Sequence, residues 1–345
     1  MIQEIRIKNY LSFRDEVVLS FEATKDTTFE ECQVVNVTPK VRLLRFALIY
    51  GANASGKSNL LNAMDFLRGF WFDKKSDIDE ETGVVPFLLD TETPNEPSEF
   101  NIKFFVGDKR YWYALVLDDK QVIKEDLYVY NSVQPSLVFS RKLDGTASLI
   151  KLNANLVKSN ATIVEQLNVK CLSNMSFFAA RNQVNCSLAY IDEVRDWMKN
   201  NMMPIIEPGT RMFEYAGKQM EKNAELKAYI LDFVHKADYN ITDVYTEREK
   251  MPIPDFVKAS IMEDKDIPEK TKEKMLADNA LERLRTDFQH TVKNKRGEEN
   301  YRLSNSLQSE GTKRTFGIEA AIYEAIKTNG ILPIDEIESS LHPEL

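Results

Sequence analysis

Residues 51–58 read Gly-Ala-Asn-Ala-Ser-Gly-Lys-Ser, the residue order of a phosphate-binding P-loop. Gly51 and Gly56 let the backbone curl close to a phosphate, where a Cβ would obstruct. Successive backbone N–H groups then face the phosphate oxygens, aided by the positive end of the following helix. Lys57 carries a positive charge to the β- and γ-phosphates, and Ser58 offers a hydroxyl to Mg²⁺. A glycine turn that happens to precede a helix is the plain alternative. The flanks speak against it. Arg45-Phe46-Ala47-Leu48-Ile49-Tyr50 is an apolar run of buried-strand type, and Leu60, Leu61, Met64 and Leu67 recur at helical spacing up to Phe70.

Two further clusters could act on the same phosphates. Ile331-Leu332-Pro333-Ile334 is an apolar run closed by Asp335 and Glu336, the form of a strand with two acids at its end. Asp335 is the candidate metal ligand beside Ser58, and Glu336 the candidate that polarises an attacking water. Pro333 is out of place in a central strand, because it removes a ladder hydrogen bond; a bulge, one-sided pairing or a shifted register would account for it. Upstream, Ser309-Glu310-Gly311-Thr312 precedes a helical pattern through Phe316, Ala320, Ile322 and Ile326. A hydroxyl, a flexible backbone and a helix N-terminus suit an anion, but on these residues alone a simple N-cap at Ser309 or Thr312 is the favoured reading.

These groups need a scaffold of mixed type. Ile2, Ile5 and Ile7, then Val17, Leu19 and Phe21, predict two strands around a turn at residues 9–13. Residues 99–140 alternate like an antiparallel meander: Phe100, Ile102, Phe104 and Val106, then Tyr111, Tyr113, Leu115 and Leu117, then Val122 to Tyr130. Its aromatics fit a half-buried sheet face better than base stacking. Leu188 to Ala280 reads as mostly helical, without a sustained heptad. Phe288–Val292 and Tyr301–Leu303 predict a hairpin. The expectation is an α/β fold organised as residues 1–186 with the P-loop and a β-lobe, 187–283 as a mainly helical insertion, and 284–345 carrying the serine turn and the acids.

Composition narrows the function classes. The 345 residues are 43% hydrophobic and 29% charged, enough for a large core. A net charge of -9 argues against a coat for non-specific nucleic-acid binding, although a local basic groove remains compatible with it. No apolar run is long enough to span a membrane, and Cys32, Cys171 and Cys186 have no metal spacing; both fit a cytoplasmic protein.

The order P-loop, Ser-x-Gly before a helix, then Asp-Glu is that of ABC-type ATPases, in which the serine turn is the signature motif. Ile7-Lys8-Asn9-Tyr10-Leu11-Ser12-Phe13 is similar to the opening of RecF- and SMC-like members. Ile49 to Leu60, Pro86-Phe87, the Phe104–Tyr113 meander, Ser309 to Arg314 and Asp335 to Pro343 resemble the AAA_15/AAA_21 group of bacterial ATP-binding proteins.

The resemblance implies an ABC-type ATPase head with a β-rich lobe and a helical insertion, using ATP and Mg²⁺. The nucleotide-contacting set is then Gly51, Ala52, Asn53, Ala54, Ser55, Gly56, Lys57, Ser58 and Asn59, with Ser309 and Gly311 acting from a second copy in a homodimer or higher oligomer. Lys57 and Glu336 are the catalytic pair, Ser58 and Asp335 the metal ligands, and Gln183 the candidate Q-loop residue. Ser339 to Pro343 corresponds to the D-loop. Family members occur in anti-phage and abortive-infection systems; those of RloA and PARIS type pair with a TOPRIM nuclease or another effector, and OLD proteins carry the nuclease in the same chain.

Three departures are visible. Glu310 replaces the first glycine of the transporter-type signature, Pro333 interrupts the acid-bearing strand, and Leu345 follows the D-loop without a switch histidine, which gives the expectation of a C-terminal truncation with impaired hydrolysis. A RecF-like DNA-repair ATPase and an ATP-bound scaffold with little hydrolysis are the competing expectations.

Overall fold

A computed structural model describes residues 1–237, 240–264, 267–278 and 280–339. They form two compact units, Met1–Ile206 with Thr328–Asp335, and Glu207–Lys327 with the segment from Glu336.

The first unit is built on a seven-stranded antiparallel sheet. Its strands are β1 (Ile2–Lys8), β2 (Val17–Ser20), β5 (Ser98–Val106), β6 (Lys109–Leu117), β7 (Val122–Tyr130), β8 (Ser136–Asp144) and β9 (Ala147–Leu152), in the order β2-β1-β5-β6-β7-β8-β9. The register pairs Phe100 with Leu115, Ile102 with Tyr113 and Phe104 with Tyr111, so the alternating side chains of the meander share one face. Phe100, Phe104, Tyr111 and Tyr113 are fully buried there, which decides for the sheet-face reading over base stacking. The first-unit helices are α1 (Glu30–Gln33), α2 (Lys57–Phe70), α3 (Ala161–Lys170), α4 (Phe177–Arg181) and α5 (Ile191–Asn201); β3 (Val34–Thr38) and β4 (Val41–Leu44) form a separate hairpin. The α2 helix turns Leu60, Ala63, Met64, Leu67 and Phe70 into the core, the apolar stripe that its sequence spacing predicts. Trp197 of α5 stacks on Phe104 at 4.3 Å.

A buried ion pair anchors the far end of this sheet. Glu125 of β7 and Arg141 of β8 are cross-strand partners, 3.2 Å apart, and both side chains are fully buried. Glu125 also accepts from Tyr113 Oη (2.9 Å), Ser176 Oγ (2.9 Å) and the Phe177 N–H (2.7 Å). Arg141 donates to the carbonyls of Met175 (2.6 Å), Leu172 (2.8 Å) and Ser173 (3.1 Å) and to Ser148 Oγ. Each charge thereby finds its hydrogen-bond partners, which is what makes burial of the pair tolerable. The loop before α4 is the part held.

Two expected strands depart from regular form. Residues 45–50 form no regular strand, and Phe46, Leu48 and Tyr50 are 59%, 49% and 83% exposed. The run is apolar, but among the described residues no neighbouring strand pairs with it. Among the described residues, 331–334 make only isolated parallel bridges, Ile331 to Met202 and Ile334 to Ile206. Three residues lie between Met202 and Ile206 and two between Ile331 and Ile334, so the 202–206 side carries one extra residue. This bulge falls opposite Pro333, whose carbonyl accepts from the Ile206 N–H at 3.0 Å while its missing N–H needs no partner.

The second unit holds α6 (Met212–Lys222), α7 (Ala224–Lys236), β10 (Asp243–Pro252), α8 (Asp255–Glu263), α9 (Glu269–Asp278), β11 (Ala280–Asn294), β12 (Gly297–Ser304) and α10 (Glu310–Thr328), the last ending at the boundary with the first unit. The three strands form a sheet in the order β10-β11-β12, so one strand lies inside the segment read as helical. Its core gathers Ala216, Met220, Leu226, Ile230 and Val234 against Phe288, Phe316 and Ala320. The long α10 approaches the start of α6 closely: a Cβ on Gly317 would lie 2.4 Å from Met212 Cβ and 2.9 Å from its carbonyl carbon.

Candidate nucleotide-binding site

The P-loop begins the α2 helix of the first unit. Ala54 has φ +62° and Gly56 φ +92°, both left-handed, which turns the chain tightly into the helix. Gly56 is the N-cap and supplies no side chain, so the N-cap position itself offers no side-chain acceptor to the first-turn N–H groups of Lys57, Ser58 and Asn59. A Cβ on Gly56 would lie 2.7 Å from Ser12 Oγ and 2.8 Å from Phe13 Cε1, and one on Gly51 2.8 Å from Ser55 Oγ. The N-terminal turn is therefore a wall of the loop, and Asn59 Nδ2 donates to Ser12 Oγ across it (2.9 Å). Lys57 Nζ donates to the carbonyls of Gly51 (2.9 Å) and Ala52 (3.0 Å), which places the ammonium over the concave side of the loop. Gly51, Ala52, Asn53, Ala54, Ser55 and Ser58 are solvent-exposed. Donor N–H groups, a cation and an exposed hydroxyl around one concavity fit a polyphosphate with its divalent cation.

Asp335 lies in the same unit, at the end of the 331–334 segment, where its N–H donates to Ile206 O (2.9 Å). The α2 helix touches the 202–206 segment that bridges to it through Asp65 Oδ1, which accepts from the Ile205 N–H (3.4 Å).

Ser309, Gly311 and Glu336 belong to the second unit. Ser309 is exposed and caps α10: its Oγ accepts from the Thr312 N–H (3.1 Å) and lies 2.8 Å from Thr312 Oγ1. The N-cap expectation is realised at Ser309, and an N-cap hydroxyl at an exposed helix start is also where an anion can be received. Glu336 is exposed with φ +46°, an uncommon conformation for a residue with a Cβ. Its carbonyl accepts from the Ser339 N–H (2.9 Å) and from Arg314 Nη2 (3.0 Å). Of the expected D-loop, Ser339 closes this turn; Ser340, Leu341, His342 and Pro343 lie outside the described residues.

Gln183 sits in the turn after α4. Arg181, buried, donates to the carbonyls of Val184 (2.8 Å) and Cys186 (2.6 Å) and pairs with Asp192 at 2.8 Å, so the loop around Gln183 is held from within. Arg181, Arg314 and the contact of Ser12 with Asn59 carry no signal in a single sequence, because each depends on a partner brought close only by folding.

The sequence matches the AAA_21 family, described as "AAA domain, putative AbiEii toxin, Type IV TA system", over residues 46–153 and 216–345. These two stretches make up most of the chain and include the P-loop, the serine turn and both acids. The chain belongs to the AAA_21 family. It is a P-loop ATPase of ABC-like type by that membership. No curated protein sequence matches it. Among the described residues of this AAA_21 protein, no helix is long and apolar enough to cross a membrane.

Proposed function

We propose that this AAA_21 protein binds ATP with Mg²⁺ at Gly51–Asn59 and hydrolyses it, and that ATP closes two copies into a dimer that gates a partner effector. The observation that carries the reading is the P-loop itself: two left-handed residues, an uncapped helix start and a lysine folded over the loop carbonyls. Lys57 exchanges a carbonyl for phosphate oxygens, a charge-assisted hydrogen bond stronger than the neutral one it replaces. Ser58 and Asp335 hold the cation. Mg²⁺, when bound, withdraws charge from the phosphate oxygens. Glu336 orients the attacking water, and phosphoryl transfer then needs positioning and charge stabilisation rather than a covalent intermediate.

Ser309 and Gly311, exposed or half-exposed at the start of α10, face the nucleotide of the other copy in this reading. A nucleotide shared by two copies binds the closed state better than the open one, and that difference is what moves the equilibrium. The family description names a toxin and a toxin–antitoxin system, which supports an abortive-infection role. In this reading the protein acts in the cytoplasm and the effector is a protein such as a TOPRIM nuclease. The test is Glu336→Gln with ATP and Mg²⁺ under light scattering. A trapped dimer is expected, and monomers alone would count against the scheme.

A further inference from the structure

We propose that Arg314 is a positioning residue, which ties the backbone of Glu336 to the serine-turn helix of the same chain and so sets where the Glu336 carboxylate points. The inference rests on the reading of Glu336 as the residue that orients water.

One guanidinium joins three segments of the second unit. Arg314 sits on the second turn of α10, five residues after Ser309. Its Nη1 donates to Pro208 O at 2.9 Å and its Nη2 to Glu336 O at 3.0 Å. The planar fork of an arginine can serve two carbonyls in fixed directions, which a lysine cannot. Burial lowers the guanidinium's affinity for its proton, opposed by the nearby charges of Glu336 and Glu338.

The other two segments give this contact leverage. The 207–212 segment is seated against α10 by Gly317, where any side chain would strike the Met212 backbone. The helix and this segment therefore move together. Glu336 has φ +46°, a conformation that persists only where its surroundings hold it, and the holding contacts are those of Arg314 and Ser339 on its carbonyl. A shift of the serine turn is thereby passed through α10 and Arg314 to the peptide that carries the carboxylate. Engagement of Ser309 by a phosphate and alignment of Glu336 become one event within one chain.

The test compares steady-state phosphate release for wild type, Arg314→Ala, Arg314→Lys and Glu336→Gln, alongside amide hydrogen exchange of the peptide ending at Ser339. A displacement of about 1 Å at a reacting group can cost about 100-fold in rate. The expected result is a fall in kcat of at least tenfold for Arg314→Ala, with KM for ATP within about twofold of wild type. Arg314→Lys should recover part of the rate, since one carbonyl can still be served. Exchange at residues 336–339 should quicken in Arg314→Ala while that of α2 stays unchanged. A merely structural role would instead lower the melting temperature and weaken ATP binding together with kcat; that pattern overturns the proposal, as does unchanged kcat or unchanged exchange at 336–339. If wild type and Glu336→Gln are equally inactive, the hydrolysis reading fails, and the exchange comparison still decides whether Arg314 holds the Glu336 turn.

Discussion

Replacing Arg141 with alanine should be the most damaging single change in the first unit that touches no candidate site residue. The side chain is fully buried and donates to Glu125 Oε2, to three main-chain carbonyls and to Ser148. Its loss leaves Glu125 buried with only Tyr113, Ser176 and the Phe177 N–H, and strips donors from the carbonyls of Leu172, Ser173 and Met175. Removing one member of a buried pair costs about 3–5 kcal/mol. Against a total stability of about 5–15 kcal/mol this is at least roughly a fifth. For a unit of this size, each kcal/mol moves the melting temperature by roughly 2–4 °C, so a drop of about 10 °C is expected. The assay is urea unfolding followed by tryptophan fluorescence, with a thermal melt beside it. A partner test uses Glu125→Gln, which removes the charge facing Arg141: the amide oxygen can stay on the Phe177 N–H and Arg141 while its NH2 turns to the Tyr113 and Ser176 hydroxyls, which can accept. The double variant should cost less than the two single changes added together. A loss under about 1 kcal/mol for Arg141→Ala would refute the reasoning, because such a pair could then be removed without penalty.

Gly56→Ala should destabilise by roughly 2–5 kcal/mol and abolish ATP binding, since φ +92° is strained for an L residue and the new methyl would meet Ser12 Oγ and the ring of Phe13; a melt within about 0.5 kcal/mol of wild type would contradict this. Burial raises the Glu319 carboxyl above the ordinary carboxylate range, only partly opposed by a hydrogen bond from Tyr229. The folded state then prefers the protonated form, so stability falls as pH rises from the unfolded carboxylate range through the higher folded value. Glu319→Gln should stabilise the protein at neutral pH and change little in acid, and urea midpoints equal at both pH values would speak against it.

What the sequence made legible follows from how local each signal is. The P-loop and α2 were readable because glycine, lysine and serine act within eight residues and Leu60, Met64 and Leu67 repeat at helical spacing. The meander β5-β6-β7 was readable from its period of two, and α10 from its cap and apolar stripe. The rest depends on distant partners. Arg141 looks like a surface charge in a polar strand, and only Glu125 sixteen positions away makes it a core residue. The run Thr246-Glu247-Arg248-Glu249-Lys250 has helix-forming composition, yet its pairing with β11 makes it a strand. The apolar 45–50 run announced burial, whereas Phe46 and Tyr50 face solvent. Pro333 raised the question of a bulge without saying on which strand; the extra residue lies on the 202–206 side. The link from Arg314 to Glu336 spans 22 residues of chain and has no periodic trace at all.

The most direct test of the account is an equilibrium titration of ATP with Mg²⁺ against wild type and Lys57→Ala, both checked for the same thermal melt. Among the described residues, the hydrogen bonds of Lys57 Nζ go to the loop carbonyls of Gly51 and Ala52, so its removal should leave the fold intact. A charged hydrogen bond to phosphate is worth about 1.5–3 kcal/mol, so wild type should saturate and the variant should bind roughly 10- to 100-fold more weakly. Equal binding by the two proteins, or none by wild type, would contradict the assignment of Gly51–Asn59 as the triphosphate site.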